Sequence, residues 1–258
     1  MNRVFILLFL VVGFGTLSAQ TSFQPRKLSN NGKGIVYNKE VTGDLRLQTD
    51  GWAIGMTFGK LKSYDLTQFI YGGIGELRHP REVWTNDIQH RGRYVFGKQN
   101  NLYVLRAGWG QKHYFSEKAK RKGAAVGMVY QVGPSIGFVK PYYLSVAIPE
   151  SRTMDTRAIR FTPATTNEFL DKERIRGGGG FLRGWDNLSL APGVQAIIAA
   201  HFDWGAFDQN VKALEAGIML DLYFQAIPLM VEVERFDNLK NQPLFLNFFI
   251  NLQLGKRS

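Results

Sequence analysis

Every second residue from Thr42 to Gln48 is polar: Asp44, Arg46 and Gln48 share one side of an extended chain, and Leu45 and Leu47 share the other. A helix cannot sort them this way, because residues that share a helix face are three and four apart. Thr49-Asp50-Gly51 then reads as a hairpin turn, since Asp-Gly accepts the positive φ that such turns require. The returning segment places Trp52, Ile54, Met56 and Phe58 on one face and Ala53, Gly55, Thr57 and Gly59 on the other. This second strand narrows the fold. A soluble sandwich strand shows charged or hydroxyl groups to water, whereas here the non-apolar side is nearly all small and the large side chains are aromatic or long aliphatic. Small residues facing a crowded lumen and large apolar ones facing lipid are what a narrow membrane barrel needs.

The alternation recurs. Tyr103, Leu105 and Trp109 oppose Arg106, Gly108 and Gly110; Leu214, Ala216, Ile218, Leu220, Leu222 and Phe224 alternate with Ala213, Glu215, Gly217, Met219, Asp221 and Tyr223. Near the C-terminus, Leu246, Phe248, Ile250, Leu252 and Leu254 alternate with Asn247, Phe249, Asn251 and Gln253. An acid or amide within a strand whose other face is unbroken and apolar fits a polar lumen and conflicts with a dry sandwich core. The longer segments run to about 10–15 residues, against about 5 or 6 for a soluble strand and about 9–11 for a tilted membrane strand.

The expected fold is therefore all-β: a single closed antiparallel transmembrane β-barrel of about ten strands, range 8–12. The strands fall at 41–48, 52–60, 67–78, 91–97, 101–112, 122–132, 136–147, 191–204, 211–225 and 244–255. Gly133-Pro134-Ser135 reads as a tight turn or as a bulge within one long strand, and Met230 to Arg235 as a possible further strand. An even count leaves both termini on the periplasmic side. The long loop 148–190 carries a short helix, with Thr162 and Pro163 as N-cap and first helical residue and the Gly177–Gly180 run as its break.

The N-terminus reads as an export signal: Arg3, an apolar run from Val4 to Gly13, and Leu17-Ser18-Ala19 as a small-residue cleavage site. The domain reading is a signal peptide at 1–19, an N-terminal periplasmic segment at 20–40 and an outer-membrane barrel at 41–258. The absence of cysteine removes both a lipoprotein anchor and disulfide staples. A mean hydropathy of −0.16 excludes a bundle of membrane helices but not a barrel, whose alternating strands average near neutral. The net charge of +11 points to anionic lipid head groups rather than to nucleic acid, which an exported chain seldom meets.

His201 and Asp203 lie two apart on one strand and are the weak catalytic candidates, pointing into the lumen where outer-membrane hydrolases carry a His and an acid. No serine or second acid is tied to them, so a hydrogen-bonded lumen pair is the default. Arg46, Glu76, Arg106, Glu215 and Asp221 are expected to form a lumenal charge network that plugs or narrows the barrel, because buried charges must be paired; a selectivity ring is the functional alternative. The basic run Glu117–Lys122 reads as a solvated loop. His79 and His90, eleven apart without cysteines, make no metal site, and Gly177–Gly180 lacks the Lys-Ser/Thr of a phosphate loop. No cofactor is expected.

Several segments together carry a resemblance: Arg78-His79-Pro80-Arg81-Glu82; Tyr94 through Arg106; Gly133-Pro134-Ser135 leading to Lys140-Pro141-Tyr142-Tyr143; and Phe245-Leu246-Asn247-Phe248-Phe249. The chain resembles a group of uncharacterised outer-membrane β-barrel proteins of Bacteroidota over most of its mature length. A signal peptide ending in Ala19-Gln20 is also a habit of that phylum. The resemblance implies location and barrel architecture, and it brings no activity with it. The chain departs from the common barrel habit of ending on an aromatic residue, finishing instead Gly255-Lys256-Arg257-Ser258.

The leading functional expectation is a non-enzymatic outer-membrane barrel, as a small envelope protein, narrow pore or scaffold. Its expected partners are outer-membrane lipids, the barrel-assembly machinery and another envelope protein reached through loop 148–190. A barrel enzyme acting on lipid or peptide through His201 and Asp203 is one alternative. A soluble periplasmic β-protein binding an apolar ligand is the other.

Overall fold

In the computed structural model, residues 37–63, 65–85, 92–115, 124–148, 155–204, 209–232 and 241–258 are described. The expected signal peptide 1–19, most of the segment 20–40, His90 and the run Glu117–Lys122 lie outside them.

Unbroken alternation of exposed and buried residues runs along β1 (Lys39–Gln48), and Asp50-Gly51 turns the chain into β2 (Gly51–Leu61) with Gly51 at φ +149°. The chain continues through β3 (Leu66–Leu77), the short ribbon β4 (Trp84–Thr85) and β5 (Tyr94–Val95), then β6 (Asn100–Tyr114) and β7 (Ala125–Pro141). After them come β8 (Tyr143–Ala147), β9 (Thr156–Arg160), β10 (Ile175–Gly178), β11 (Ser189–Asp203), β12 (Asn210–Tyr223) and β13 (Leu244–Arg257). Eight of these close a barrel in the order β1-β13-β12-β11-β7-β6-β3-β2, each pair antiparallel. Closure leaves no free sheet edge. No helix among the described residues is long and apolar enough to cross a membrane.

Eight strands correct the expected ten, within the range of 8–12. The segment 91–97 contributes only β5, paired with β4 outside the barrel. The segments 122–132 and 136–147 are not two barrel strands. Gly133-Pro134-Ser135 lies inside β7, which keeps one register against β11 from Asp203↔Ala125 to Ser189↔Val139, with neither turn nor bulge. Pro134 faces outward and has no N–H to give, so the ladder to β6 lapses between Arg106↔Ser135 and Trp109↔Val132. The Ala107 carbonyl there accepts from Gln195 Nε2 at 3.1 Å, so the proline is tolerated without an orphaned acceptor. Residues 143–147, expected as the end of a barrel strand, form β8 in a separate small sheet. Met230 adds a single bridge to Lys98 rather than a further barrel strand.

The first and last barrel strands have their outer ends at the same end of the barrel, where Asn38 and Lys39 donate to the Ser258 carbonyl. Links at that end are 62–65, 115–124 and 204–209. The opposite end carries the turn at 49–50 and three long connections, 78–99, 142–188 and 224–243. These build a cap with its own apolar core of Tyr94, Leu144, Val146, Ile159, Phe169, Ile175 and Val231 under the sheet β10-β8-β9. The expected helix lies in this cap as Thr166–Phe169, preceded by a 3-10 turn at Pro163–Thr165. Thr162 and Thr165 form a reciprocal capping box there, each side-chain oxygen accepting the other's backbone N–H.

Beneath the cap the barrel is filled with side chains. Leu77, Leu102, Val104, Val139, Ala191, Tyr223 and Phe245 point inward from the strands and pack against Ile227 and Leu229 of the 224–232 segment. That segment is pinned by Gln99 N–H donating to the Leu229 carbonyl at 2.8 Å and Val231 N–H donating to the Gly97 carbonyl at 2.9 Å. Deeper, Tyr71 lies across two glycines of the wall: a Cβ on Gly73 would sit 2.2 Å from its hydroxyl, and one on Gly55 would sit 2.7 Å from it. The small residues that flag a lumen face are thus the floor on which the large lumen residues lie.

Candidate functional site

Strand parity carries most of the expected lumen residues inward. Arg46, Arg106, Glu215 and Asp221 are all buried in the interior. Glu76 is not, which corrects the expectation: it pairs across from Trp52 on the outward face, accepts from Trp52 Nε1 at 3.2 Å and bridges Arg78 at 2.9 Å. Leu77, its neighbour, takes the inward position. Phe69, Tyr71, Gly73, Gly75 and Leu77 set the inward parity of β3, and Glu76 falls on the opposite one.

The interior charges fall into layers. Next to the apolar plug, Arg106 donates from Nε and Nη2 to the two oxygens of Asp221 at 2.9 and 3.0 Å. Arg46 has a different environment, its guanidinium carbon lying 5.0 Å from the Tyr71 ring centre and 4.8 Å from that of Phe249. Flat, weakly hydrated guanidinium suits that aromatic sandwich better than an ammonium would.

Toward the termini the network becomes continuous. Asp44 accepts from Thr57 Oγ1 at 2.7 Å, Gln253 Nε2 at 2.5 Å and Asn251 Nδ2 at 3.2 Å. Asn251 also donates to Glu215 at 2.8 Å. Lys112 bridges Gln253 and Glu40 at 2.9 and 3.0 Å, and Arg257 joins Glu40 at 2.9 Å to Asp203 at 2.6 Å. Each link spans different strands, so the network cross-braces the barrel.

His201 and Asp203 sit within this lattice but engage different partners. His201, fully buried, places Nδ1 3.0 Å from Glu215 Oε1 and Nε2 3.3 Å from the Tyr114 hydroxyl. Among the described residues the phenol is the hydroxyl that meets the ring, and a phenol is a poor acyl nucleophile. Asp203 instead faces Arg257. Both ring nitrogens of His201 are thus occupied by the bracing network. Among the described residues no group of three metal-ligating side chains occurs.

Glu40, Lys112 and Arg257 are the network residues that sequence reasoning missed. Parity could have found them: Lys112 extends the Arg106, Gly108, Gly110 face, and Arg257 extends the Asn251, Gln253 face by two further steps.

A second feature lies outside the wall. Beneath the overhanging cap, a groove of about 780 Å³ runs along the outward face of β2, β3, β6 and β7. Its wall includes Trp52, Ile74, Leu105 and Phe138, and its roof includes Trp84, Phe181 and Trp185. Tyr103 stacks on Trp185 with ring centres 5.4 Å apart, holding the Phe181–Trp185 segment against the barrel. Five cations line it, Arg78, Arg93, Lys98, Lys140 and Arg183, against one carboxylate, Glu76. At its edge, burial lowers the His79 pKa below the usual histidine value, although Glu82 opposes the shift. No single segment of sequence signals this groove, because its residues come from four strands and two connections.

No protein-family model matches the sequence, and no curated protein is significantly similar to it. Among solved structures, the N-terminal β-barrel domain of Pseudomonas aeruginosa OprF aligns at 11% identity over 86% of this chain and 98% of that one, with a TM-score of 0.34. Neisserial surface protein A aligns at 8% identity over 86% and 96%, also with a TM-score of 0.34. The barrel is established by the chain's own closed antiparallel strand pairing.

Proposed function

We propose that the chain is an outer-membrane β-barrel with a closed lumen, acting without catalysis as an envelope protein that displays its cap at the surface. The observation that carries this reading is the sidedness of the barrel strands. On β13, Leu244, Leu246, Phe248, Ile250, Leu252 and Leu254 are all exposed on the outside, while Asn247, Asn251 and Gln253 are buried within. A soluble protein would reverse that order. Those eleven residues, rising about 3.4 Å each and tilted by about 40°, cover roughly 25 Å, the height of an outer-membrane apolar band.

The ends of the band support the same orientation. Lys39, Lys60, Lys212 and Lys256 are exposed at the terminal end, where long stems lie along the wall and ammonium groups reach lipid phosphates. Short links on the terminal side and long ones opposite match the periplasmic and external sides of such barrels. The apolar plug and the cross-braced charges support a closed interior rather than a pore.

The test is twofold. The folded protein should migrate differently on gels before and after heating, and should resist carbonate extraction from membranes. In planar bilayers it should show no steady conductance. Carbonate extraction would overturn the membrane assignment, and stable unitary currents would overturn the closed lumen.

A further inference from the structure

We infer that the groove beneath the cap is a binding site for a phosphate-bearing, multi-acyl lipid of the surrounding leaflet. The inference rests on the membrane orientation proposed above, which sets the groove at the level of the external head groups. Two independent observations carry it. The first is the composition of the groove, where an apolar wall of Ile74, Leu105 and Phe138 continues the lipid-facing surface upward into a zone lined by five cations and one carboxylate. An acyl chain matches the lower part and a phosphate the upper. The volume of about 780 Å³ suits a head group together with the start of its chains and far exceeds a lone phosphate.

The second is Lys140. It is only 2% exposed, and buried ammonium groups are ordinarily paired with carboxylates. Here Nζ donates to the Phe181 carbonyl and lies 4.3 and 4.7 Å from the Phe181 and Trp185 ring centres. Among the described residues no carboxylate neutralises it. The aromatic segment holds the ammonium in place, and its charge is left to act on the groove. Lys98 is different: Glu82 meets it at 2.7 Å. The uncompensated charge therefore concentrates around Lys140 and the exposed Arg183, both beside the rings that would flank a head group. A neutral lipid would leave that charge unanswered.

The test measures binding of diphosphoryl lipid A, its dephosphorylated analogue and dioleoylphosphatidylcholine to the protein folded in nonionic detergent, by native mass spectrometry. The expected order places diphosphoryl lipid A first, with each lost cation weakening it by about fivefold, from about 1 kcal/mol per basic residue at a membrane surface. Arg183→Gln should show this loss and Arg183→Gln with Lys140→Gln a larger one, while Lys62→Gln, exposed in the 62–65 link at the opposite end, should show none. Heat-modifiable mobility of each variant reports folding, so misfolding and lost binding are read separately. Equal binding of the phosphorylated and dephosphorylated lipids, or equal losses for Arg183→Gln and Lys62→Gln, would overturn the inference. Displacement of lipid A by inorganic phosphate would also overturn it, by removing the acyl contribution. A wild-type chain without heat-modifiable mobility would instead refute the membrane orientation.

Discussion

The Arg106–Asp221 pair measures how dry the lumen is. Both side chains are at most 1% exposed, and two hydrogen bonds of 2.9 and 3.0 Å hold the fork geometry. Charge centres about 4 Å apart attract by about 4 kcal/mol at an effective dielectric near 20, and by about 1 kcal/mol in bulk water. A plugged barrel and a water-filled one therefore predict different coupling energies. Arg106→Met alone strands a buried carboxylate and Asp221→Leu alone strands a buried guanidinium, each costing about 3–5 kcal/mol. The double variant strands neither and should fall within about 1–2 kcal/mol of wild type, for a coupling of about 4 kcal/mol or more. Reversible urea unfolding in lipid vesicles, followed by tryptophan fluorescence and gel mobility, completes the cycle. A coupling at or below about 1 kcal/mol would mean that the pair sits in bulk-like water. Such a value would refute a closed, dry lumen.

Three further outcomes follow from the same contacts. Gly73→Ala drives a methyl group into Tyr71 and to 2.8 Å from the Ile54 carbonyl oxygen, and should cost about 1–3 kcal/mol; in a Tyr71→Ala background only the backbone approach remains and the cost should fall, and equal costs would remove the Tyr71 packing explanation. His201→Asn leaves Glu215 and Tyr114 short of a partner, so the unfolding midpoint should drop by the equivalent of about 1–3 kcal/mol; unchanged stability would contradict a bracing role. In the 78–82 turn, His79 Nδ1 accepts from the Arg81 N–H at 3.2 Å, which requires the neutral ring. Burial lowers its folded pKa, so this contribution is present above the unfolded histidine value and is lost as the pH falls through the folded one. The protection of the Arg81 amide, its exchange rate relative to the intrinsic rate at the same pH, should fall on acidification in the wild type and should be independent of pH in His79→Ala.

How far the sequence reaches can be seen strand by strand. Parity alone determines that Leu45 and Leu47 share one face and Asp44, Arg46 and Gln48 the other, because side chains on a strand have two directions and the apolar and polar sets separate between them. Asp50-Gly51 sets the first hairpin, and Thr162-Pro163 marks the start of a helical turn, because both act through local φ and capping chemistry. Local rules misjudge Pro134, where a proline ordinarily breaks a strand. The fold keeps it because a glutamine on the next strand supplies the missing donor, and that partner is 61 residues away in sequence. The strand count fails for a related reason. Residues 91–97 and 143–147 have strand-forming composition, but whether they join the barrel depends on which neighbour offers an edge. Only closure decides that, and it leaves them to the cap. The layered interior and the groove lie further still from the sequence. Lys112 meets Glu40, Arg106 meets Asp221, and Lys140 lies under Phe181 and Trp185 because distant strands are brought side by side at fixed register. The sequence by itself determined which face of each strand points outward and which inward, since that preference is carried residue by residue. The tertiary structure alone decided which charges meet and which remain unanswered, since pairing depends on strand order and shear.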